Sequence, residues 1–160
     1  MIMNKFHPLT ITSINRLTAD AVAISFNVSN NTLFQFEAGQ YITIKKDING
    51  EEVRRAYSIC SMNSEGVTIG VKKVETGRMS SFLTQSVKEG DVLNVMPPSG
   101  NFVIKGDNKH IVGICAGSGV TPIIAMIKTE LAKPSDAKFT LIYGNKTKDS
   151  SMFAEELHQL

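Results

Sequence analysis

The apolar residues of this chain change period part-way along, and that change limits the folds open to it. Before about residue 105 they recur at every second position over short stretches. Val22, Ile24, Phe26 and Val28 alternate with small or polar neighbours, the pattern of a strand with one buried face. Asn30-Asn31 then marks a turn. Val67, Ile69 and Val71 alternate in the same way after Glu65-Gly66. Tyr41 to Lys46 reads as a further strand, closed by Asp47 to Gly50. Arg55 to Ser61 reads as another, and Asp91 to Met96 and Asn101 to Ile104 as the last two. Short strands separated by turn signals predict an all-β barrel or sandwich. One helix interrupts them, with Met79, Phe82, Leu83 and Val87 on one face and Gly90 as its stop.

After Gly106-Asp107-Asn108 the pattern is different. Ile111 to Cys115 is a continuous apolar run, which predicts a strand buried on both faces. A glycine turn leads to Thr121-Pro122, read as an N-cap and a first-turn proline. Ile123, Met126, Ile127 and Leu131 form a helical face that Lys133-Pro134 ends. Phe139 to Tyr143 is a second strand, and Phe153, Leu157 and Leu160 mark a second helix. Strand–helix–strand–helix is the opening of a parallel α/β sheet. The chain therefore divides into 1–106, a β domain, and 107–160, the first part of an α/β domain. Two parallel strands alone leave a bare edge, so the chain is expected to be a fragment or to be completed from elsewhere.

Composition narrows the function. The 160 residues carry 17 basic and 15 acidic side chains, a net charge of +2, too small to imply a nucleic-acid or membrane-surface binder. Cys60 and Cys115 stand apart, and with three scattered histidines they supply neither a zinc site nor the four ligands of an iron–sulfur cluster. Two buried thiols in a reduced, cytoplasmic protein are expected, with a lone disulfide between them as the alternative. Met1 to Thr10 lacks a basic start followed by an apolar core, and no apolar run approaches a membrane span.

Three segments carry chemistry. Arg55-Ala56-Tyr57-Ser58 puts a permanent cation, a flat ring and a hydroxyl on one strand, with Arg55 and Tyr57 on the same face. The guanidinium suits a phosphate and the ring a flat heterocycle. The plain alternative is an edge strand with a solvated arginine. Gly77-Arg78-Met79-Ser80 precedes the first helix, where glycine admits an anion close to free N–H groups. The alternative there is an ordinary strand-to-helix turn. Gly117-Ser118-Gly119-Val120-Thr121-Pro122 lies between a strand and a helix, as a nucleotide-binding turn does. Pro122 stands where the dinucleotide fingerprint needs its third glycine.

The order and spacing of these segments, together with Phe36-Glu37-Ala38-Gly39-Gln40-Tyr41 and Pro97-Pro98-Ser99-Gly100-Asn101-Phe102, resemble the ferredoxin–NADP reductase superfamily over residues 5 to 160. Within it, Tyr143 to Thr147 and Met152 to Leu157 look like the bacterial oxygenase-reductase branch. The resemblance implies a six-stranded antiparallel Greek-key barrel that binds FAD, then a parallel α/β domain for NADPH or NADH. It assigns Arg55 to the FAD pyrophosphate, Tyr57 to stacking on the flavin ring, and Ser58 to a place near flavin N5, so Tyr57 and Ser58 are the candidate catalytic residues. It places Val71 on the strand whose backbone lines the flavin and gives Gly77, Arg78, Met79 and Ser80 to the pyrophosphate. Gly117, Ser118, Gly119 and Thr121 approach the pyridine nucleotide. No metal ligand is assigned. The implied activity is NAD(P)H-dependent flavin reduction, with electrons passed to an acceptor protein or a fused iron–sulfur domain that this chain lacks. A flavoprotein subunit that takes electrons from a partner, and a flavin-free barrel acting as an interaction module, are the alternatives.

Lys146 and Lys148 follow the second α/β strand, where this superfamily would hold an adenosine 2′-phosphate, and basic residues there favour NADPH. Two solvated loop lysines are the plain alternative. Cys60 and Cys115 are expected in the core, with Cys60 near enough to Ser58 to approach a flavin.

Overall fold

Six strands wrap into a barrel in the computed structural model, which describes residues 5–29, 31–134 and 136–160. They are β1 (His7–Thr18), β2 (Ala21–Phe26), β3 (Tyr41–Ile48), β4 (Glu51–Ser58), β5 (Thr68–Lys72) and β6 (Val92–Ser99). Their order is β4-β3-β6-β1-β2-β5, all antiparallel, with β6 returning to lie between β3 and β1 in Greek-key fashion. The barrel closes where β4 runs out: Ile59 bridges to Ile69, and Cys60 N–H donates to Thr68 O at 2.8 Å. Ile11, Ile24, Ile42, Ile44, Ile59 and Ile69 are fully buried inside, each worth about 1.5–3 kcal/mol of apolar burial. Helix α1 (Arg78–Gln85) adds Met79 and Leu83 to this core.

Several elements depart from the sequence-based expectation. β1 carries no simple alternation because its register shifts between Ile11 and Ser13 and again between Arg16 and Thr18, so its apolar positions change parity. β6 passes through Pro97-Pro98 to Ser99, and residues 101–104 form no strand. The prolines fall where β3 and β6 lose register, between the Thr43–Met96 and Tyr41–Ser99 pairs, so no ladder bond is sacrificed. Asn31 caps a 3-10 turn at Thr32–Phe34, while Asn30 and Met1 to Asn4 lie outside the described residues.

The second unit holds β7 (His110–Ala116) and β8 (Lys138–Gly144), paired parallel, with α2 (Val120–Leu131) between them and α3 (Ala154–Gln159) after them. A side chain on Gly113 of β7 would lie 3.0 Å from Ile123 Cγ2 and 2.8 Å from Phe139 Cε1, so glycine lets α2 seat against the strand pair. β7 is not buried on both faces. Val112, Ile114 and Ile142 are 55%, 72% and 56% exposed, because the packed apolar residues of α2 and α3 meet only the other face. Cys115 is accordingly half-buried, whereas Cys60 is in the core.

The helix start also differs from expectation. Residues Gly117–Gly119 wind into a 3-10 turn, so α2 begins at Val120 with Gly119 as its cap. Thr121 is inside the first turn and its hydroxyl donates back to Ser118 O at 2.9 Å, rather than capping. Pro122 remains in the first turn, where its missing N–H costs no helical bond. At the other end, Phe153 caps α3 in the left-handed region (φ 59°), a conformation an aromatic residue adopts only when packing enforces it.

The two units share a cluster in which Ala21, Ala23 and Cys60 of the barrel meet Val120, Ile124, Met152 and Phe153. Lys128 of α2 reaches Glu65 at 2.8 Å and Glu156 at 3.1 Å. Among the described residues, Lys128–Glu65 is the ion pair that joins α2 to the barrel. No helix among them is long and apolar enough to cross a membrane.

Candidate functional site

A cleft of about 590 Å³ opens between the units, and all three chemical segments line it. β4 contributes Arg55, Tyr57 and Ser58. Arg55 and Tyr57 share the strand face of buried Val53, as their pairing with Ile44 and Ile42 requires. Arg55 is exposed and its Nη1 donates to Arg54 O at 2.7 Å. Among the described residues no carboxylate pairs with it. Tyr57 is half-buried against the barrel core. Burial pushes its phenol up to about 12, with the Arg55 cation opposing.

The second wall is the start of α1. Gly77 caps the helix with extended backbone, no side chain caps the first-turn N–H groups, and no acidic residue lies in that turn. Gly77 to Ser80 line the cleft, so the positive end of the helix dipole lies at its wall with no acidic residue in the first turn to offset it. Ser80 is buried and its hydroxyl is spent on the turn, donating to Gly77 O at 3.1 Å and accepting from Val74 N at 3.0 Å. A Cβ on Gly77 would come 2.4 Å from Ser80 Oγ, so only glycine permits this turn. Arg78 is exposed and pairs with Glu51 at 2.5 Å. Met79 is mostly turned into the barrel core.

Ser118, Gly119, Thr121 and Pro122 of the second unit close the cleft. Gly70 of β5 is the point on this wall where the two units touch, and Lys72 lies next along it. Val71 is fully buried in the barrel and lines neither hollow, so anything it offers a ligand comes from its backbone.

A second hollow of about 810 Å³ adjoins the first at Ser118 and Lys72, by the carboxyl ends of β7 and β8. Ala116, Gly117 and Ser118 form one side of it, and Gly144, Asn145, Lys146 and Ser150 the other. This is the end of an open α/β sheet where ligands bind. Asn145 Oδ1 is buried with no hydrogen-bond partner, an acceptor suited to a hydroxyl or amino group of a ligand. Lys148 does not share the hollow; it opens the 3-10 turn Lys148–Ser150 and faces a separate recess with Arg16.

Sequence reading missed Gly70, Lys72, Tyr143 and Asn145. A lone glycine inside a strand does signal close approach of another group, so Gly70 was detectable. Lys72, which lies 3.7 Å from Asp20 and donates to Ser150 O at 3.4 Å, carries no such signal.

The model of the oxidoreductase FAD-binding domain family matches residues 8–104, and that of the oxidoreductase NAD-binding domain family matches residues 114–160. The chain belongs to the ferredoxin–NADP reductase superfamily. One component of the 1,2-phenylacetyl-CoA epoxidase from Escherichia coli (strain K12) is 39% identical over 99% of this chain and 46% of that protein. Among solved structures, flavohemoglobin from Malassezia yamatoensis with bound FAD and heme matches with a TM-score of 0.87 at 25% identity, over 97% of this chain and 42% of that one. Phthalate dioxygenase reductase, described as a modular structure for electron transfer from pyridine nucleotides to [2Fe-2S], matches with a TM-score of 0.81 at 28% identity, over 95% and 47%. The chain spans less than half the length of each of these three relatives. The reductase superfamily's two cofactor domains thus correspond to the barrel and the α/β unit described above.

Proposed function

We propose that this chain is the flavin-binding part, and the leading pyridine-nucleotide-binding part, of a reductase that takes hydride from NADPH or NADH and passes electrons to an oxygenase component or iron–sulfur acceptor. The division falls near residue 106. The observation that carries the reading is Arg55, a cation without a carboxylate partner among the described residues, lining one cleft with the Tyr57 ring and the uncapped start of α1.

The cleft's residues fit FAD. The Arg55 fork and the amides of Arg78, Met79 and Ser80 are donors for a pyrophosphate. Tyr57, half-buried against the barrel core, offers a flat face for a flavin ring, and Ser58 offers a hydroxyl beside it. Ser80 contributes by holding the Val74–Gly77 turn in shape. Ser118, Gly119 and Thr121 border the same cleft and bring the pyridine nucleotide to it, while Gly117, Asn145 and Lys146 receive the rest of the nucleotide in the adjoining hollow. Bound FAD supplies the hydride acceptor and the outlet for single electrons, so the chain's own task is binding, orientation and exclusion of water.

Anaerobic mixing of the FAD-loaded chain with NADPH or NADH tests this. Bleaching of the flavin absorbance supports the reading. A chain that holds FAD but is bleached only by a reduced partner protein would instead be an electron-transfer subunit.

A further inference from the structure

The 810 Å³ hollow has two walls that belong to different parts of the chain, the Ala116–Ser118 turn and the segment from Gly144 to Ser150. One hydroxyl ties both. Tyr143 Oη donates to Gly117 O at 3.0 Å and accepts the N–H of Met152 at 3.1 Å. Gly117 is in the left-handed region (φ 51°), which frees its carbonyl from the geometry of the strand before it. Met152 is fully buried among Val120, Ile124 and Phe153. The segment from 145 to 151 therefore leaves β8 and is pinned back at residue 152 to the residue before the strand's end. The Tyr143 ring packs at the edge of that same cluster, which fixes where its hydroxyl points.

We propose that Tyr143 is a positioning residue for the pyridine nucleotide: its hydroxyl sets the distance between the Gly117 turn and the 145–151 loop, and with it the width of the nucleotide hollow. The proposal rests on reading that hollow as the nucleotide site. Neither Gly117 nor Met152 lines the cleft with Arg55 and Tyr57, and the FAD donors there sit on β4 and α1, so the loss falls on the nucleotide.

Tyr143→Phe removes the hydroxyl and keeps the ring. In the FAD-loaded chain, amide exchange across 117–122 and 145–152 should speed up about tenfold, and affinity for NADP+ should fall about tenfold, each the effect of losing one or two ordinary hydrogen bonds. Affinity for FAD should not change. Unchanged exchange, or faster exchange with unchanged NADP+ affinity, overturns the proposal. If the wild-type chain shows no NADP+ binding, the nucleotide reading of the hollow falls as well. Should Tyr143→Phe not fold, 3-fluorotyrosine at position 143 retains both bonds. Its fluorine resonance should move when NADP+ is added, and a resonance that stays put counts against the proposal.

Discussion

Gly70 of β5 and Thr121 of α2 meet with no room for a side chain between them. A Cβ on Gly70 would lie 2.5 Å from Thr121 Cγ2 and 3.2 Å from both Met152 Cε and Phe153 Cζ. This contact is in the wall of the cleft that holds Arg55 and Tyr57, so it sets how closely the turn from Ser118 to Pro122 approaches the barrel.

Gly70→Ala should therefore force α2 outward. Thr121 is β-branched and cannot swing its methyl away freely, so we expect a loss of about 1–3 kcal/mol. Thr121→Ser removes the offending methyl. The double variant should be less destabilised than the sum of the single ones in urea unfolding. Additive losses would show that the two residues do not constrain each other.

Lys128 should give a pH signature. Burial pulls its pKa down, but hydrogen bonds and charge from Glu65 and Glu156 outweigh this and leave it raised above 10.5. A group whose folded pKa is raised contributes stability that is complete below its unfolded pKa and is lost as pH climbs through the folded one. The stability gap between wild type and Lys128→Met, about 1 kcal/mol for a partly exposed cluster, should hold steady from neutral pH to about 10 and shrink above that. A gap that closes on acidifying from pH 8 to 6 would contradict the assignment.

Lys146 and Lys148 should separate. Lys146 lines the 810 Å³ hollow proposed for the nucleotide and Lys148 does not. In calorimetric titrations, Lys146→Ala should weaken 2′,5′-ADP up to about tenfold relative to 5′-AMP, an effect that salt diminishes. Lys148→Ala should leave the ratio unchanged. Equal effects from both would make these two lysines a solvated pair.

The exposed outer face of β7 and β8 predicts where the chain yields first. Val112, Ile114 and Ile142 lie open there, so this unit gains less from burial than the barrel does. Limited proteolysis should cut first between Lys105 and His110 or beyond Lys133, and a first cut within residues 10–100 would reverse the ranking.

Much of this was legible in the sequence, for identifiable reasons. The alternation at Val22–Phe26 and Val67–Val71 arises because large apolar residues turn into the barrel while small ones, Ala21, Ala23 and Gly70, face the second unit; on α2 the apolar face holds at Ile123, Met126 and Ile127, while Leu131 is exposed. β1 left no such alternation because its register shifts move its apolar residues from one parity to the other. The burial of Ile111–Cys115 was overstated, because an apolar run records what a strand is suited to meet and not what covers it. The segments around Arg55, Gly77 and Gly117 were readable as chemistry, but their meeting in one cleft is tertiary. Tyr143 was invisible as a tie between loops, since the groups it joins across the hollow, Gly117 O and Met152 N–H, are backbone groups and these leave no mark in side-chain identity.

The most direct test of the account is calorimetric titration of the flavin-free chain with FAD and with riboflavin, for wild type and Arg55→Ala. A charge-assisted phosphate contact is worth roughly 1.5–3 kcal/mol. Wild type should bind FAD one to one, and Arg55→Ala should bind it roughly 10- to 150-fold more weakly while its riboflavin affinity stays unchanged. A wild-type chain that takes up no FAD, or an Arg55→Ala chain that loses both flavins equally, would contradict a pyrophosphate held by Arg55 across the cleft from Ser118 and Thr121.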